Sequence, residues 1–432
     1  MSVTMAPGHG TGESARPHFL KAITAIAGGT AVSQLLPVAV SPILTRVYSP
    51  QDFGVFVVVA STLAILTSIG SLRYETALLI PKEERRAEVL LFVALASVVL
   101  TSCVTALVLG IASFGHLPLG PLSVAHRYLF WIPIGLLAVG FYTCIENWGL
   151  RHRHFNTIAR ARAWQGVTGC LVQLGLAVLV RGPSGLISGN IAGQSVGGTR
   201  LAAKTHAFSR TRRPTMREFA REAFRYRDFP MLGSASVLLN VAALQVPSLF
   251  IAQFFGIAVA GWYALGLRCV SLPMLLVGRA VAQVYTAEAA KLAVTDISEM
   301  RRLFKQTALR LLAIGVVVLV PIAVVMHFAV GPIFGSSWKP AGTYILIISP
   351  NVLAQFVTSP LSQTLVIFQR LRLQLAVDTV RLIGVVGALV VCHYLNYSVV
   401  MALGALSAIM VVSYGLHFSC CILTLKYEAT TC

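Results

Sequence analysis

Apolar stretches of about twenty residues recur along the whole 432-residue chain, broken by short loops, and the cations collect in alternate loops, on one side. Each stretch is long enough to cross a hydrocarbon core of roughly 30 Å. Only 11% of the residues are charged, against about a quarter in a soluble chain, and the mean hydropathy is +0.78. In lipid the backbone must satisfy its own hydrogen bonds, and runs this long and uniform do so as helices rather than barrel strands. The expectation is an all-α polytopic membrane protein. Twelve spans are predicted, near 20–44, 54–72, 87–113, 127–147, 157–180, 184–203, 229–254, 259–286, 304–330, 341–367, 373–394 and 398–424.

The net charge of +19 raises the question of nucleic acid, which would require a basic patch on one folded face. The cations are instead sorted by loop. Of the 34 Lys and Arg, 26 fall on one side of the predicted membrane and only Arg46, Arg127, Arg181 and Lys339 on the other. Arg73, Arg268, Arg279 and Arg381 lie within or at the edge of spans. That asymmetry is the positive-inside signature, so both termini are expected in the cytoplasm and no nucleic-acid partner is expected. Anionic membrane lipid is a natural neighbour of such loops. No cleavable leader is evident, since the first apolar stretch is too long for a signal-peptide core. The eight cysteines show neither disulfide-framework nor metal spacing, and no metal or cofactor is expected.

The longest polar stretch, 204–228, divides the chain into two groups of six spans, 19–203 and 229–425, flanked by tails 1–18 and 426–432. Within it, 216–227 has the pattern of a basic amphipathic helix, although a solvated linker fits the same residues. The two groups echo one another. RVYSPQDFGVFVVVAS from Arg46 aligns without gaps to QFFGIAVAGWYALGLR from Gln253, matching Tyr48 to Phe255, Gly54 to Gly261 and Phe56 to Tyr263. Six spans separate the copies, so both point the same way through the membrane. Parallel repeats are a transporter architecture, with the substrate path between them.

GTAVSQLLPVAVSPILTRVYSPQDFGVF and SLRYETALLIPK in the first group resemble the amino-terminal signature of bacterial oligosaccharide (O-antigen, Wzx-type) flippases. QVPSLFIAQFFG, AGWYALGLRCVSLPMLLVGRAVAQV, FGSSWKPAGTYILIISP and SPLSQTLVIFQRLRLQL continue the resemblance in the second. It spans about residues 22 to 380, and the last fifty residues add only hydrophobic helix. The resemblance implies the V-shaped, alternating-access fold of the multidrug/oligosaccharidyl-lipid/polysaccharide exporter superfamily in the bacterial inner membrane. Its typical cargo is an undecaprenyl-pyrophosphate-linked oligosaccharide, with polysaccharide polymerase and chain-length machinery as candidate partners.

Moving a pyrophosphate through a low-dielectric slab requires cations in a watery cavity, and the arginine fork suits phosphate. Arg268 and Arg279 lie eleven residues apart on span 8, close to three turns, and so share a face. Arg73 closes span 2, the counterpart of span 8, and Arg381 is on span 11. These four are the candidate cavity cations. Asp378 stands three residues before Arg381, a spacing for an intrahelical ion pair. Glu75, two residues from Arg73, would point away from it on a continuous helix. Glu75 and Asp378 are the candidate ion-coupling carboxylates. The alternative for all six is interfacial or structural pairing.

Amides at membrane depth, among them Gln34, Asn240, Asn351 and Gln355, could bind sugar hydroxyls or join helices. GLISGNIAGQSVGG at 185–198 has no following Lys-Ser/Thr and reads as close helix packing. No catalytic constellation is present, so a non-enzymatic role is expected. A cation-coupled multidrug exporter on the same fold is the main alternative, but it would want an acidic cavity. A membrane polymerase or glycosyltransferase would need a large outer loop or an acidic catalytic motif, and neither is found.

Overall fold

The computed structural model describes residues 15–114, 120–180, 182–205, 207–208 and 214–431. The tail before Ala15, Arg181, the linker cations Arg210, Arg212 and Arg213, and Cys432 lie outside the described residues. Among the described residues, twelve long helices carry the fold. They are α1 (Ala15–Val47), α2 (Pro50–Gly70), α3 (Glu84–Phe114), α4 (Trp131–Arg151), α5 (Phe155–Leu179) and α6 (Ser184–Lys204), then α7 (Ser234–Phe255), α8 (Ile257–Thr295), α9 (Ile297–Phe334), α10 (Pro340–Leu361), α11 (Leu371–Tyr394) and α12 (Val399–Thr431). Each falls on one expected span, and no strand occurs among the described residues. This is a multi-pass membrane protein.

Nine candidate spans pass a strict test of length and apolarity among the described residues, and α4 joined to the short helix before it, bent by 89°, would make a tenth. The long helices outside the nine are α4, α5 and α6, all in the first half. A helix that turns one side to a polar cavity rather than to lipid need not be apolar all round. Of these three, α5 and α6 turn amide side chains to the cavity described below, whereas α4 contributes none of its lining.

Helices α8 and α9 outrun the expected 259–286 and 304–330 by running on into charged sequence. Their polar ends meet at Asp296, whose side chain caps α9 by accepting from the backbone N–H of Ser298 and Glu299. The opposite error occurs after α2. The chain leaves the helix at Ser71, and Leu72 and Arg73 both take positive φ before the short helix Tyr74–Ala77. Arg73 therefore does not close α2 as expected.

Helices α1–α6 pack on one another as one half and α7–α12 as the other, with α2 lying along α7 and α8 to join them. The joint is closest at the end away from the basic loops. A side chain on Gly54 would overlap the carbonyl of Ile257, and one on Gly261 would overlap the carbonyl of Pro50. These are the two glycines matched by the repeat, and each meets the residue four positions before the other. The contact is a pseudo-two-fold crossing of α2 and α8 that only glycine permits. Trp338, fully buried beside it, donates its Nε1–H to the Thr45 carbonyl across the halves at 2.9 Å. It also meets the Phe53 ring edge-on at 4.9 Å. That end of the joint is sealed.

At the basic end a surface helix, Met216–Arg225, lies against α3. Thr215 and Glu218 form its capping box. The Glu218 carboxylate also accepts from Arg85 of α3 at 2.9 Å. The Arg85 hydrogen bond, reinforced by the Thr215 backbone N–H, holds that carboxyl down at about 2.

Candidate cargo cavity between the halves

A cavity of about 500 Å³ opens between the halves. α1 contributes Ser33 and Gln34, α2 contributes Phe53, Phe56 and Val57, and α5 contributes Gln165, Cys170 and Gln173. α6 adds Asn190 and Gln194, and α8 adds the face from Ala264 to Leu275. Gln165, Gly169 and Gln173 follow one another at helical spacing, as do Asn190 and Gln194, so each helix turns a row of amides inward. α5 and α6 approach closely because glycine faces glycine: a side chain on Gly193 would come within 2.5 Å of the Gln165 carbonyl. This is the packing expected for the glycine-rich stretch. The Gln194 amide oxygen is shut away from solvent and takes no donor among the described residues.

Arg268 is the one charged residue in this lining. It lies beside Cys170 of α5, and no carboxylate pairs with it among the described residues. Eleven residues separate it from the start of α8, roughly 16 Å at 1.5 Å per residue, which is the middle of a 30 Å core. An unpaired cation at that depth is costly unless water or an anionic ligand meets it.

A second cavity of about 290 Å³ adjoins the first and shares Leu267, Ser271 and Leu275 with it. It lies within the second half, between α7, α8, α10 and α12, and its one charged lining residue is Arg279. That residue is exposed, roughly 33 Å along α8, at the basic end. The structure thus sets Arg268 and Arg279 on one side of α8, at the centre and at the mouth.

The other two candidate cations line neither cavity. Arg73 sits in the break after α2 and pairs with Glu75 at 3.4 Å, so the expectation that these two would point apart fails along with the continuous helix that it assumed. Glu75 is buried and also accepts from the Ser71 hydroxyl. Arg381 is buried in the second half, 2.8 Å from Asp378 and 2.7 Å from the Asn240 amide oxygen, with its guanidinium over the Tyr414 ring. Both candidate coupling carboxylates are thus paired to arginine.

Arg162, sorted by sequence with the loop cations, instead lies within α5 and joins Arg279 at the basic end. It pairs with Glu146 of α4 at 2.7 Å, bonds the Thr30 hydroxyl of α1, and is close enough to Arg279 for the two charges to repel. Sequence reasoning also passed over Gln165, Gln173, Asn190 and Gln194. Their spacing of four and eight residues along glycine-rich helices was the signal that could have found them.

A sequence profile of a family described as "Polysaccharide biosynthesis protein" matches residues 43–343, which include both repeats and most of the cavity lining. The chain belongs to that family. No curated protein matches it significantly. Among solved structures, this polysaccharide biosynthesis protein is similar to the lipid II flippase MurJ in an inward closed conformation, with a TM-score of 0.66 and 10% identity over 93% of this chain and 86% of that one. It is also similar to an inward-facing multidrug resistance MATE transporter, with a TM-score of 0.57, 15% identity and 94% coverage of both chains. A MOP superfamily transporter from Pyrococcus furiosus, described by the reversed polarity of its binding pocket, gives a TM-score of 0.58 at 12% identity, over 95% and 96% of the two chains. At these identities the likeness is one of fold, the V-shaped transporter fold in two six-helix halves.

Proposed function

We propose that this polysaccharide biosynthesis protein flips an oligosaccharide linked to undecaprenyl pyrophosphate across the bacterial inner membrane. The single observation that carries the reading is the sign and place of the cavity charge: one unpaired arginine, roughly 16 Å along α8, among amides and without a carboxylate in the lining. A charge at the bilayer centre costs from about 3 to above 10 kcal/mol. Arg268 offsets that cost for a pyrophosphate, and it does so through two N–H groups that match phosphate oxygens. Gln34, Gln165, Gln173, Asn190 and Gln194 offer both donors and acceptors, which suits sugar hydroxyls.

By the positive-inside rule the basic end is cytoplasmic, so Arg279 and Arg162 stand where cargo enters and the Gly54–Gly261 seal faces the periplasm. Opening that seal while the basic end closes would complete the transfer. The same rule puts both termini in the cytoplasm. Energy comes from an ion gradient or from removal of product by a polymerase and its chain-length partners. The carrier needs no catalytic group of its own. A cationic drug, the cargo of a multidrug exporter, would meet repulsion at Arg268.

In cells, Arg268→Ala should abolish export of surface polysaccharide at normal protein abundance, and Arg268→Lys, which keeps the charge but not the fork, should retain part of it. Normal export by Arg268→Ala would overturn the reading.

A further inference from the structure

The two cavities differ in chemistry as well as in position. The larger, facing the first half, carries five amide side chains from α1, α5 and α6 beside apolar residues of α2 and α8. The smaller is walled chiefly by carbon: Leu244, Pro247, Met274, Val352, Phe356 and Met410, contributed by four helices of the second half. Asn351 and Gln355, one turn apart on α10, are the amide exceptions. The cavities communicate through Leu267, Ser271 and Leu275, on the stretch of α8 between Arg268 and Arg279.

We propose that the smaller cavity is the subsite for the first isoprene units of a polyprenyl pyrophosphate, so that the cargo is divided at Arg268, with glycan toward the first half and lipid stem toward the second. The inference rests on the proposed function, because it takes the pyrophosphate at Arg268 as given. A group held there is enclosed between the halves, and the carbons bonded to it cannot reach bulk lipid at once. Placed against the amide wall, those carbons would strip water from five side chains and return no hydrogen bond. The adjoining carbon-lined space has no such penalty, and burying apolar surface in it is favourable. Its size sets how much enters. A cavity of about 150 Å³ accepts a benzene, so 290 Å³ holds about two five-carbon units. The rest of the chain remains in the bilayer. Arg279, exposed at the basic end of the same space, is placed to meet the pyrophosphate before it reaches Arg268.

The test uses the full-length protein in phosphatidylcholine nanodiscs and geranylgeranyl pyrophosphate carrying a photoreactive diazirine on its first or second isoprene unit. Peptide mapping should place the label on Met274, Phe356 or Met410, and excess inorganic pyrophosphate should suppress it. Met410→Trp, which fills the space, should cut labelling at these positions at least ~tenfold, with the variant's unfolding midpoint measured alongside. If the variant fails to fold, the wild-type label position decides. Pyrophosphate-competed label confined to the amide wall, or to outward residues such as Val317 and Phe328, would overturn the subsite. Failure of the underlying reading looks different: inorganic pyrophosphate would bind Arg268→Ala as tightly as wild type, or would not bind at all.

Discussion

The two halves share a scaffold and differ in what they present to the cavity. Gly54 and Gly261 make the same contact from opposite sides, as a duplicated helix crossing should. The linings do not follow that symmetry. α5 and α6 bring rows of amides, whereas α8 brings one arginine to each cavity and, with α10, a largely apolar wall to the smaller one. Each half also holds a carboxylate–arginine pair in its interior, but the pairs differ in burial. Arg381 and Asp378 are 4% and 2% exposed, whereas Arg162 and Glu146 are 25% and 15% exposed. Under the proposed function, the geometry of the joint is repeated in both halves, and the chemistry that would meet the cargo is divided between them.

The largest effect expected from breaking this arrangement is in the second half. Arg381→Ala strands Asp378 in a dry site, which costs about 3–5 kcal/mol when one partner of a buried pair is removed. Arg162→Ala leaves Glu146 partly reachable by water and the Tyr142 hydroxyl, and should cost about 1–3 kcal/mol. Unfolding midpoints and membrane abundance measure both. Equal losses would show that burial is not what separates the two pairs.

The shared seal should respond symmetrically. Gly54→Val and Gly261→Val each force a side chain into a backbone carbonyl, and such overpacking costs about 1–3 kcal/mol. Because the cost falls on the closed seal, both should shift the resting population toward opening on that side by ~5–150-fold. Reactivity of a cysteine at Phe53 toward an impermeant thiol reagent reads the shift. Gly110→Ala, where an added Cβ meets nothing within 4 Å, is the control. A strong response at one glycine and none at the other would break the pseudo-symmetry.

The smallest effect concerns the surface helix. The Glu218 carboxyl lies below its ordinary 4.5, at about 2, because Arg85 bonds its charged form. A depressed carboxyl contributes stability above its ordinary value and loses it as pH falls toward the folded value. The helix should therefore stay docked on α3 down to about pH 4.5 and loosen between there and about pH 2. Glu218→Gln should give the loosened state at neutral pH, seen as modestly faster tryptic cutting at Arg221.

Much of this was legible in the sequence. Hydropathy located all twelve helices because the bilayer imposes a length and a polarity on each. It could not see where α8 and α9 run on as helices into charged sequence, since Glu288 and Lys291 look like loop residues to a hydropathy window. The repeat exposed Gly54 and Gly261 as equivalent, but their contact required two distant segments to be in place. The positive φ of Leu72 and Arg73 had no glycine to announce it. Helical spacing put Arg268 and Arg279 on one face, whereas the surroundings of Arg162, drawn from α1 and α4, were beyond any local pattern.

In the proposed function Arg268 receives the pyrophosphate of the cargo. The most direct test is the affinity of the purified protein, in nanodiscs, for a disaccharide linked to a short prenyl pyrophosphate. The probe is compared between wild type, Arg268→Lys and Arg268→Ala. A charge-assisted, bidentate contact is worth about 1.5–3 kcal/mol, so Arg268→Ala should bind ~10–150-fold more weakly and Arg268→Lys should fall between. Arg268→Ala binding as tightly as wild type, while a neutral prenyl glycoside binds both equally, would contradict the account.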